Sequence, residues 1–419
     1  MRDSTFPTTR TLLILTLAAG LGACGMPEGE PGDEPGDAPE TSAMILEKGG
    51  QEEFGPYELV ENWPMPLPDE SDGLSHDGWT WGSVGAVYAE SPDRIWIAQR
   101  GELPLPEGND PWTPYAMLNP SVGNATGNDD GLGATCQPVQ ERGWERRYHH
   151  VIFVVDGDGN MVESWTQHDS LFDIACGRGP HKIKMNPYDP EKHVWVVDDQ
   201  MHVIYKFTYD GELVMTLGTK GENGRDGGQL FSRPTDIAWL PDGTFFISDG
   251  YAGTRVAKFD PDGNFLMDWG GPPADPDNPG PNEWNTVHSI QISADRRLFV
   301  VDRAHRRIQV FDENGTFLDM WNTGMRSLPY GHLITEDQHL WIVDGGTSRV
   351  VKYDLDGNFL YAWGAQGGLP GQFSGPHSLT VDQDGNLYIA EVFGGRVQKF
   401  SPRPSADPAK IIGQEVREY

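Results

Sequence analysis

The chain alternates short apolar runs with turns that are rich in aspartate and glycine. Between Phe231 and Gly270 the runs IAWL, FFIS, RVAKF and FLMDW are separated by Pro-Asp-Gly, Asp-Gly-Tyr and Pro-Asp-Gly. Short runs of β-branched and aromatic residues with Asp-Gly between them are typical of β-hairpins. This stretch therefore predicts a small antiparallel sheet of about four strands.

The same pattern recurs along the chain. Its second half returns as VIYKFTYDGELVMTLG, RRIQVFDENGTFLDMWN and RVVKYDLDGNFLYAWG, and its first half as VHSIQISADRRLFVVD and PHSLTVDQDGNLYIAE. Equivalent residues recur at steps of 42 to 52 residues, at Val155, Phe207, Phe259, Phe311, Tyr353 and Phe400. Because a repeat of roughly 40–50 residues with four strands forms a propeller blade, the sequence predicts an all-β propeller.

Counting the repeats predicts six blades. The first combines strands at 83–100 and 150–166, and the others are expected at about 178–218, 234–270, 287–322, 331–364 and 376–401. The last blade shows only three strands, so YELVENW at 57–63 would supply the fourth and remove the exposed edges. We expect one domain at 56–402, with a Pro- and Gly-rich insertion at 101–149 that forms a lid or rim loop.

Residues 1–23 have the composition of a secretory signal. Arg2 and Arg10 flank the start of an apolar run that is too short to span a membrane. The run ends in Leu-Gly-Ala-Cys, which resembles the bacterial lipoprotein box, in which the cysteine is acylated. Cys24 would then anchor the chain to the bacterial cell envelope, and Gly25 favours the outer membrane. An ordinary cleaved signal with an incidental cysteine is the alternative.

Composition and charge limit the partners. The segment at 24–55 is acidic and rich in proline and glycine, so we expect a disordered tether there and a tail at 403–419. The formal net charge of −32 argues against nucleic acid and anionic lipid as direct partners, so membrane contact would occur only through the lipid anchor. Cys136 and Cys176 remain as an even pair and are candidates for a disulfide. We expect a monomer.

Three histidines occupy equivalent positions in alternate blades. His181, His288 and His377 stand at the heads of the innermost strands of blades two, four and six. Alternate blades of a six-fold ring lie about 120° apart, so the three imidazoles should converge on the axis as the three-nitrogen set of a catalytic zinc site. A single histidine at a strand head is more often a satisfied polar group. His332 is displaced by two residues from the equivalent position, Tyr330, and we expect it to be structural.

Antiparallel pairing brings further groups to the same face, because the second strand of a blade ends where the first begins. Arg100 and Arg303 lie just past that end in blades one and four, and Tyr251 does so in blade three. A guanidinium can bind a substrate carboxylate and favours the phenolate form of a nearby tyrosine. The alternatives are a salt bridge with Asp302 for Arg303 and rim packing for Tyr251.

Several motifs together resemble a known family. They are Gln-Arg-Gly at 99–101, Pro-His at 180–181, FSRPTDIAWLPDGTFFISDGY at 231–251, Val-His-Ser at 287–289, Asp-Arg at 302–303 and Pro-His-Ser at 376–378. The repeats resemble NHL repeats, and the propeller is similar to the peptidyl-α-hydroxyglycine α-amidating lyase domain of peptide-amidating enzymes. The resemblance implies zinc on the three axial histidines, a base at Tyr251, and two arginines, Arg100 and Arg303, that serve the reaction.

The sequence also departs from that family. The cysteine that follows the tyrosine is Ala252 here, and the disulfide of blade four is missing. The aspartate that follows the third histidine and helps to hold a structural calcium ion is Ser378. The sequence therefore favours zinc and weakens the case for calcium.

The resemblance implies a reaction. The substrate would be a peptide or small molecule with a free carboxylate, a carbinolamide that breaks its N–Cα bond to give an amide and glyoxylate. One alternative is a non-catalytic NHL propeller that acts as a metal-stabilised binding module at the cell surface. Another is a metal-dependent lyase or lactonase similar to streptogramin lyases, against which the lack of an obvious carboxylate-dominated metal site argues.

Overall fold

In the computed structural model the described residues are 55–69, 73–104, 147–172, 179–226 and 229–416. They form six four-stranded antiparallel sheets, which confirms the six-bladed β-propeller. The helices in these ranges are an α-helix at Asp169–Phe172 and 3-10 helices at Thr166–His168 and Pro408–Lys410. None of these helices has the length and apolar composition needed to cross a membrane.

The first strand of each blade is the innermost. Blade one contains β3 (Val84–Ser91), β4 (Arg94–Gln99), β6 (Ile152–Val155) and β7 (Met161–Ser164). Blade two contains β8 (Lys182–Met185), β9 (Val194–Asp198), β10 (Val203–Phe207) and β11 (Leu213–Leu217). Blade three contains β12 (Pro234–Trp239), β13 (Phe245–Asp249), β14 (Arg255–Phe259) and β15 (Phe265–Trp269).

The other three blades repeat this arrangement. Blade four contains β16 (Val287–Ile292), β17 (Leu298–Asp302), β18 (Arg307–Phe311) and β19 (Phe317–Asn322). Blade five contains β20 (Pro329–Ile334), β21 (His339–Asp344), β22 (Arg349–Asp354) and β23 (Phe359–Trp363). Blade six contains β24 (Pro376–Val381), β25 (Leu387–Glu391), β26 (Arg396–Pro402) and β1 (Tyr57–Leu59). A separate pair consists of β2 (Trp79–Thr80) and β5 (Leu103–Pro104).

Strand β1 closes the ring as predicted. Tyr57 pairs with Pro402 and Leu59 with Phe400, so the N-terminal strand becomes the outer strand of blade six. It is shorter than the expected 57–63 because the chain turns at Asn62, whose φ is 56°. Closure of this kind protects the last blade from pairing with another chain.

The Asp-Gly turns have the structure that their sequence predicts. Oδ1 of Asp260 accepts hydrogen bonds from the backbone N–H groups of Asp262 (3.0 Å) and Asn264 (2.8 Å). Gly263, with φ of 83°, supplies the left-handed residue that the turn requires. The same pair of bonds is made by the equivalent aspartates Asp156, Asp312, Asp354 and Asp382.

In five blades the last residue of the second strand is a buried acidic residue. Cross-strand partners are Asp249 and Arg255, Asp302 and Arg307, Asp344 and Arg349, and Glu391 and Arg396. In blade two the partner of Asp198 is Val203 instead of an arginine. Asp198 is fully buried, and its Oδ2 has no hydrogen-bond partner among the described residues.

The C-terminal residues pack against the propeller. The backbone N–H of Ile412 donates to the Tyr57 hydroxyl (2.9 Å), and that of Val416 donates to the Ile334 carbonyl (2.9 Å). Ile412 and Val416 are buried. The described part of the segment predicted as a tail therefore adds to the core.

Three predictions concern residues beyond this description. Cys24, Cys136 and Cys176 lie outside the described residues, as does most of the insertion at 101–149. The lipid anchor, the disulfide and the lid therefore stay predictions.

We expect Asp198→Asn to gain stability over the wild type as the pH rises. Burial raises the pKa of Asp198 to about 7 from 3.8, and the charge of Asp199 adds to the effect. Between pH 3.8 and about pH 7 the folded state keeps a proton that the unfolded state releases. The wild type therefore loses stability as the pH rises through this range. The free energy of unfolding in denaturant, measured at pH 5 and pH 8, should show a gain that is larger at pH 8 by ~1–3 kcal/mol.

Asp302→Asn is the matched control. At pH 8 it should destabilise, because the buried guanidinium of Arg307 loses a partner 2.8 Å away. An Asp198→Asn variant whose stability followed the wild-type pH dependence would contradict this account.

Candidate active site on the propeller axis

The heads of the innermost strands define the site. In blades one, three, four, five and six the pairing with the second strand shifts register at this point. A shift of this kind is a β-bulge, which turns a side chain out of the normal alternation. The six equivalent residues at these heads are Gly85, His181, Thr235, His288, Tyr330 and His377.

Each of the three histidines is fixed by the next blade. The Nδ1 atom of His181 lies 2.6 Å from the Thr235 carbonyl oxygen, and that of His288 lies 2.9 Å from the Tyr330 carbonyl oxygen. Nδ1 of His377 lies 2.7 Å from the carbonyl oxygen of Gly85. A carbonyl can only accept, so these contacts place the proton on Nδ1 and leave the Nε2 lone pair for another partner.

The sequence prediction that these imidazoles converge is confirmed by their geometry. Their ring centroids are 4.7–5.0 Å apart, and one ligand nitrogen from each ring lies within 4.8 Å of the others. His181, His288 and His377 are each only 2–3 % exposed. Burial lowers the pKa of all three rings well below its usual value, and nearby positive groups lower it further. The three rings are therefore neutral near pH 7.

Tyr251 lies directly against this ring of histidines. Its hydroxyl is 2.9 Å from Nε2 of His288 and 3.2 Å from Nε2 of His181. Arg303 donates to the same hydroxyl oxygen at 3.2 Å, and its guanidinium also lies 5.1 Å from the ring centroid of Tyr330. Tyr251, Arg303 and Tyr330 are partly exposed, so they form the mouth above the buried imidazoles.

Arg100 reaches the ring from the opposite side. Its Nε donates to the Pro180 carbonyl oxygen at 3.0 Å, next to His181, and the side chain is buried. A Cβ atom on Gly85 would lie 2.9 Å from that Nε, so the absence of a side chain at this head makes space for the guanidinium. Arg100 thus lies on the face where the sequence placed it, with its Nε on a backbone carbonyl, and the hydroxyl of Tyr251 accepts from Arg303.

Arg233 is a site residue that the sequence reasoning missed. The aromatic ring of Tyr251 lies between two guanidinium groups, with Arg233 at 4.6 Å and Arg303 at 4.8 Å from the ring centroid. Arg233 is held by Asp199 at 2.6 Å. Its φ of 65° is a conformation that non-glycine residues rarely adopt, which a sequence does not reveal. The one available signal was an arginine directly before the proline that begins an innermost strand.

The donor set fits a zinc ion. Three neutral imidazoles bring three Nε2 lone pairs to the ring, and the Tyr251 hydroxyl has one proton to share among them. The three histidines therefore present more buried acceptor nitrogens than the single tyrosine proton can satisfy. A metal cation could bind the remaining lone pairs. Three histidine nitrogens with backbone carbonyls behind their Nδ1 atoms are the usual first and second coordination shells of a catalytic zinc.

The channel beneath the histidines is unfavourable for calcium. Lys184 lies 2.9 Å from the buried carboxylate of Asp236, and Lys182 lies 3.8 Å from it and 3.4 Å from Ser378. Burial raises the pKa of Asp236, but the two ammonium groups outweigh this effect and keep it below its usual value. The carboxylate is therefore already neutralised by resident cations, which would repel a calcium ion.

His332 stands apart from the site, as the sequence register predicts. Its Nδ1 lies 2.9 Å from the Ser289 hydroxyl and its Nε2 lies 3.1 Å from the Phe299 carbonyl oxygen. Both ring nitrogens are thus engaged within the blades.

We expect Gly250→Ala to destabilise the site and the fold. A Cβ atom at Gly250 would lie 1.6 Å from the Val287 carbonyl oxygen, directly before His288, so the Tyr251 loop would be displaced. Thermal unfolding should show a loss of roughly 1–3 kcal/mol, the usual cost of a forced backbone shift. Gly271→Ala is the control, because a Cβ there meets nothing within 4 Å. Equal stability of the two variants would contradict the close approach.

Curated proteins and solved structures are similar to parts of this chain. No family model matches the chain. A streptogramin B lyase superposes with a TM-score of 0.47 at 11 % identity, covering 83 % of this chain and 98 % of that chain. NHL repeat-containing protein 3 of Homo sapiens is 28 % identical over 277 residues, which cover 62 % of this chain and 74 % of that protein.

Amidating enzymes are also similar to this chain. Peptidyl-alpha-hydroxyglycine alpha-amidating lyase 1 of Drosophila melanogaster is 30 % identical over 256 residues, which cover 55 % of this chain and 46 % of that protein. The chain spans less than half the length of the curated amidating enzymes that it matches. The chain is thus a six-bladed propeller that is similar over about half its length to an α-amidating lyase and over 62 % of its length to NHL repeat-containing protein 3.

Proposed function

We propose that the protein is a zinc-dependent lyase that cleaves the N–Cα bond of peptidyl-α-hydroxyglycine-like carbinolamides. The observation that carries the proposal is the position of the Tyr251 hydroxyl, within 3.2 Å of two axial Nε2 atoms and of Arg303. A phenol at this place can exchange a proton with a group bound beside the histidines. The distant homology to amidating lyases supports the same reaction class.

The chain's own residues would divide the chemistry as follows. His181, His288 and His377 would hold zinc, which when bound lowers the pKa of an alcohol. Tyr251, after releasing its own proton to solvent, would take the proton of the substrate hydroxyl as a phenolate. The C–O bond would then become a carbonyl, the N–Cα bond would break, and the amide nitrogen would take up a proton as it leaves. The products would be an amide and glyoxylate.

Positive charge at the mouth would select the substrate. Arg303 is partly exposed beside Tyr251, and a guanidinium can bind a carboxylate with two parallel hydrogen bonds. Arg100 is buried on the other side of the ring and would add to the positive potential. A substrate that ends in a free carboxylate would therefore be favoured over its ester or amide.

A non-catalytic role is the second candidate. NHL repeat-containing protein 3 of Homo sapiens is matched over 74 % of its length, and its name does not state an enzymatic activity. In this alternative, a metal ion would rigidify the channel and the mouth would receive a partner. The two candidates differ in activity. The lyase would turn over its substrate and would need Tyr251 to do so, whereas the binding module would have no turnover to lose.

We expect the axial site to hold zinc through the three histidines. His288→Ala should lower the zinc content by about one ion per chain, because a catalytic zinc site uses three protein ligands and the variant keeps only two. Plasma mass spectrometry on untagged protein, after dialysis against limiting zinc, measures this content. His332→Ala is the control and should leave it unchanged, since both nitrogens of His332 are bonded elsewhere. Metal loss on His332→Ala but not on His288→Ala would contradict the assignment.

We expect zinc-loaded wild-type protein to release glyoxylate from α-hydroxyhippurate. Tyr251→Phe keeps the aromatic ring between the two guanidiniums and removes only the proton acceptor, so kcat should fall roughly 10²–10⁴-fold, the usual contribution of a general base. Arg303→Ala should chiefly raise KM if the arginine holds the carboxylate. Glyoxylate is measured by its reduction with an added dehydrogenase.

Two controls make this experiment decisive. Carbinolamides decompose without an enzyme as the pH rises, so rates are compared with buffer and with metal-stripped protein. If wild type releases glyoxylate no faster than Tyr251→Phe, the lyase proposal fails and the non-catalytic alternative replaces it.

A further inference from the structure

A second group of histidines lies away from the axis. His76, His149 and His150 each bring one ring nitrogen within 4.8 Å of the others. Their ring centroids are 4.1–5.3 Å apart. His76 is 5 % and His150 is 2 % exposed. His76 and Glu102 also line a cleft of about 440 Å³ beside the segment that follows β1.

The orientation of His76 is fixed by a buried carboxylate. Its Nδ1 lies 2.8 Å from Oε1 of Glu102, and Arg147 donates to Oε2 of Glu102 at 2.7 Å. Nδ1 of His76 thus lies between this carboxylate oxygen and Nη2 of Arg147, which is 3.1 Å away. Both neighbours occupy Nδ1, so Nε2 is the nitrogen on the other side of the ring, and it is buried without a hydrogen-bond partner among the described residues.

The backbone holds two consecutive histidines on the same side. Side chains of consecutive residues in an extended strand point to opposite faces, but His150 has a left-handed φ of 50°. Gln99 donates to the His149 carbonyl oxygen at 2.7 Å, and Asp169 accepts from the N–H groups of His150 and Val151. These bonds hold the two imidazole rings next to each other, with their centroids 4.1 Å apart.

Nδ1 of His150 is engaged as well. It lies 2.6 Å from the Ser164 hydroxyl, so Nε2 is the nitrogen that His150 can offer to a ligand. The axial histidines also contact oxygen through Nδ1, but there the oxygens belong to backbone carbonyls, whereas here they belong to a carboxylate and a hydroxyl. A carboxylate behind a metal-binding histidine raises its basicity and fixes its orientation.

We propose that His76, His149 and His150 form a second site for a divalent transition metal of the zinc class, with Glu102 as the positioning residue for His76. Imidazole nitrogens suit zinc, copper and nickel, whereas calcium and magnesium prefer oxygen ligands, which these three histidines do not provide. A position facing the 440 Å³ cleft would remain for water or an anionic ligand. This proposal does not depend on the lyase function.

The test counts metal ions in untagged protein. Protein stripped with a chelator is titrated with cobalt(II), and bound cobalt is followed by mass spectrometry and by the visible absorption of tetrahedral cobalt. We expect about two ions per chain in wild type and about one in His288→Ala. The double variant His288→Ala/His76→Ala should bind none.

Two further variants separate the site from its rivals. His193→Ala is the matched control, because Asp189, Glu191 and His193 form another potential cluster on an exposed turn. It should leave both ions in place. Glu102→Gln keeps the shape of the side chain and should weaken cobalt binding at the second site 10–100-fold, with the axial ion unaffected.

Each outcome decides between the proposals. If His288→Ala binds no cobalt, or if its remaining ion survives loss of His76 and disappears with His193, the second site does not exist. If wild type binds one ion that is lost with His76→Ala but not with His288→Ala, the second site stands and the axial zinc proposal fails. Circular dichroism on each variant ensures that loss of metal is not loss of fold, and Glu102→Gln gives a readout that does not remove a ligand.

Discussion

The site depends on hydrogen bonds that join each blade to the next at the axis. Three of them are the histidine Nδ1 contacts to the carbonyl oxygens of Thr235, Tyr330 and Gly85. Arg100 makes an equivalent bond to Pro180, and the Thr235 hydroxyl makes one to Val287. At five of the six junctions, a side chain of one blade thus donates to the strand head of its neighbour. The bonds that close the ring are the same bonds that set the histidine tautomers, so fold and site cannot be altered independently.

Charge at the mouth contrasts with the charge of the whole chain. Asp and Glu outnumber Lys and Arg by 63 to 31, yet Arg233 and Arg303 flank the Tyr251 ring and Arg100 lies across the histidines. An anionic substrate would be repelled by most of the surface and attracted at this mouth. Below it, Lys182 and Lys184 neutralise Asp236 and make a structural cation unnecessary in the channel. The replacement of an expected aspartate by Ser378 is consistent with this arrangement, because a second carboxylate has no role there.

The sequence was sufficient for the parts of the molecule that repeat. The 42-to-52-residue period and the Asp-Gly turns predicted the blades, and the alternation of three histidines predicted their convergence. It was insufficient where the backbone leaves regular geometry. The left-handed conformations of Arg233 and His150 direct side chains to places that no strand pattern predicts. The sequence assigned His149 to the insertion and His150 to the following strands, so it did not suggest that the two form a pair. The valine opposite Asp198 was equally invisible, because its consequence arises only when the strands pair.

The central claim is that three axial imidazoles hold a metal ion beside Tyr251. X-ray diffraction from crystals of untagged protein, collected just above and just below the zinc absorption edge, tests it most directly. The account predicts an anomalous peak among the Nε2 atoms of His181, His288 and His377, within reach of the Tyr251 hydroxyl. A zinc-supplemented crystal that shows those histidines ordered and no anomalous peak between them would contradict it.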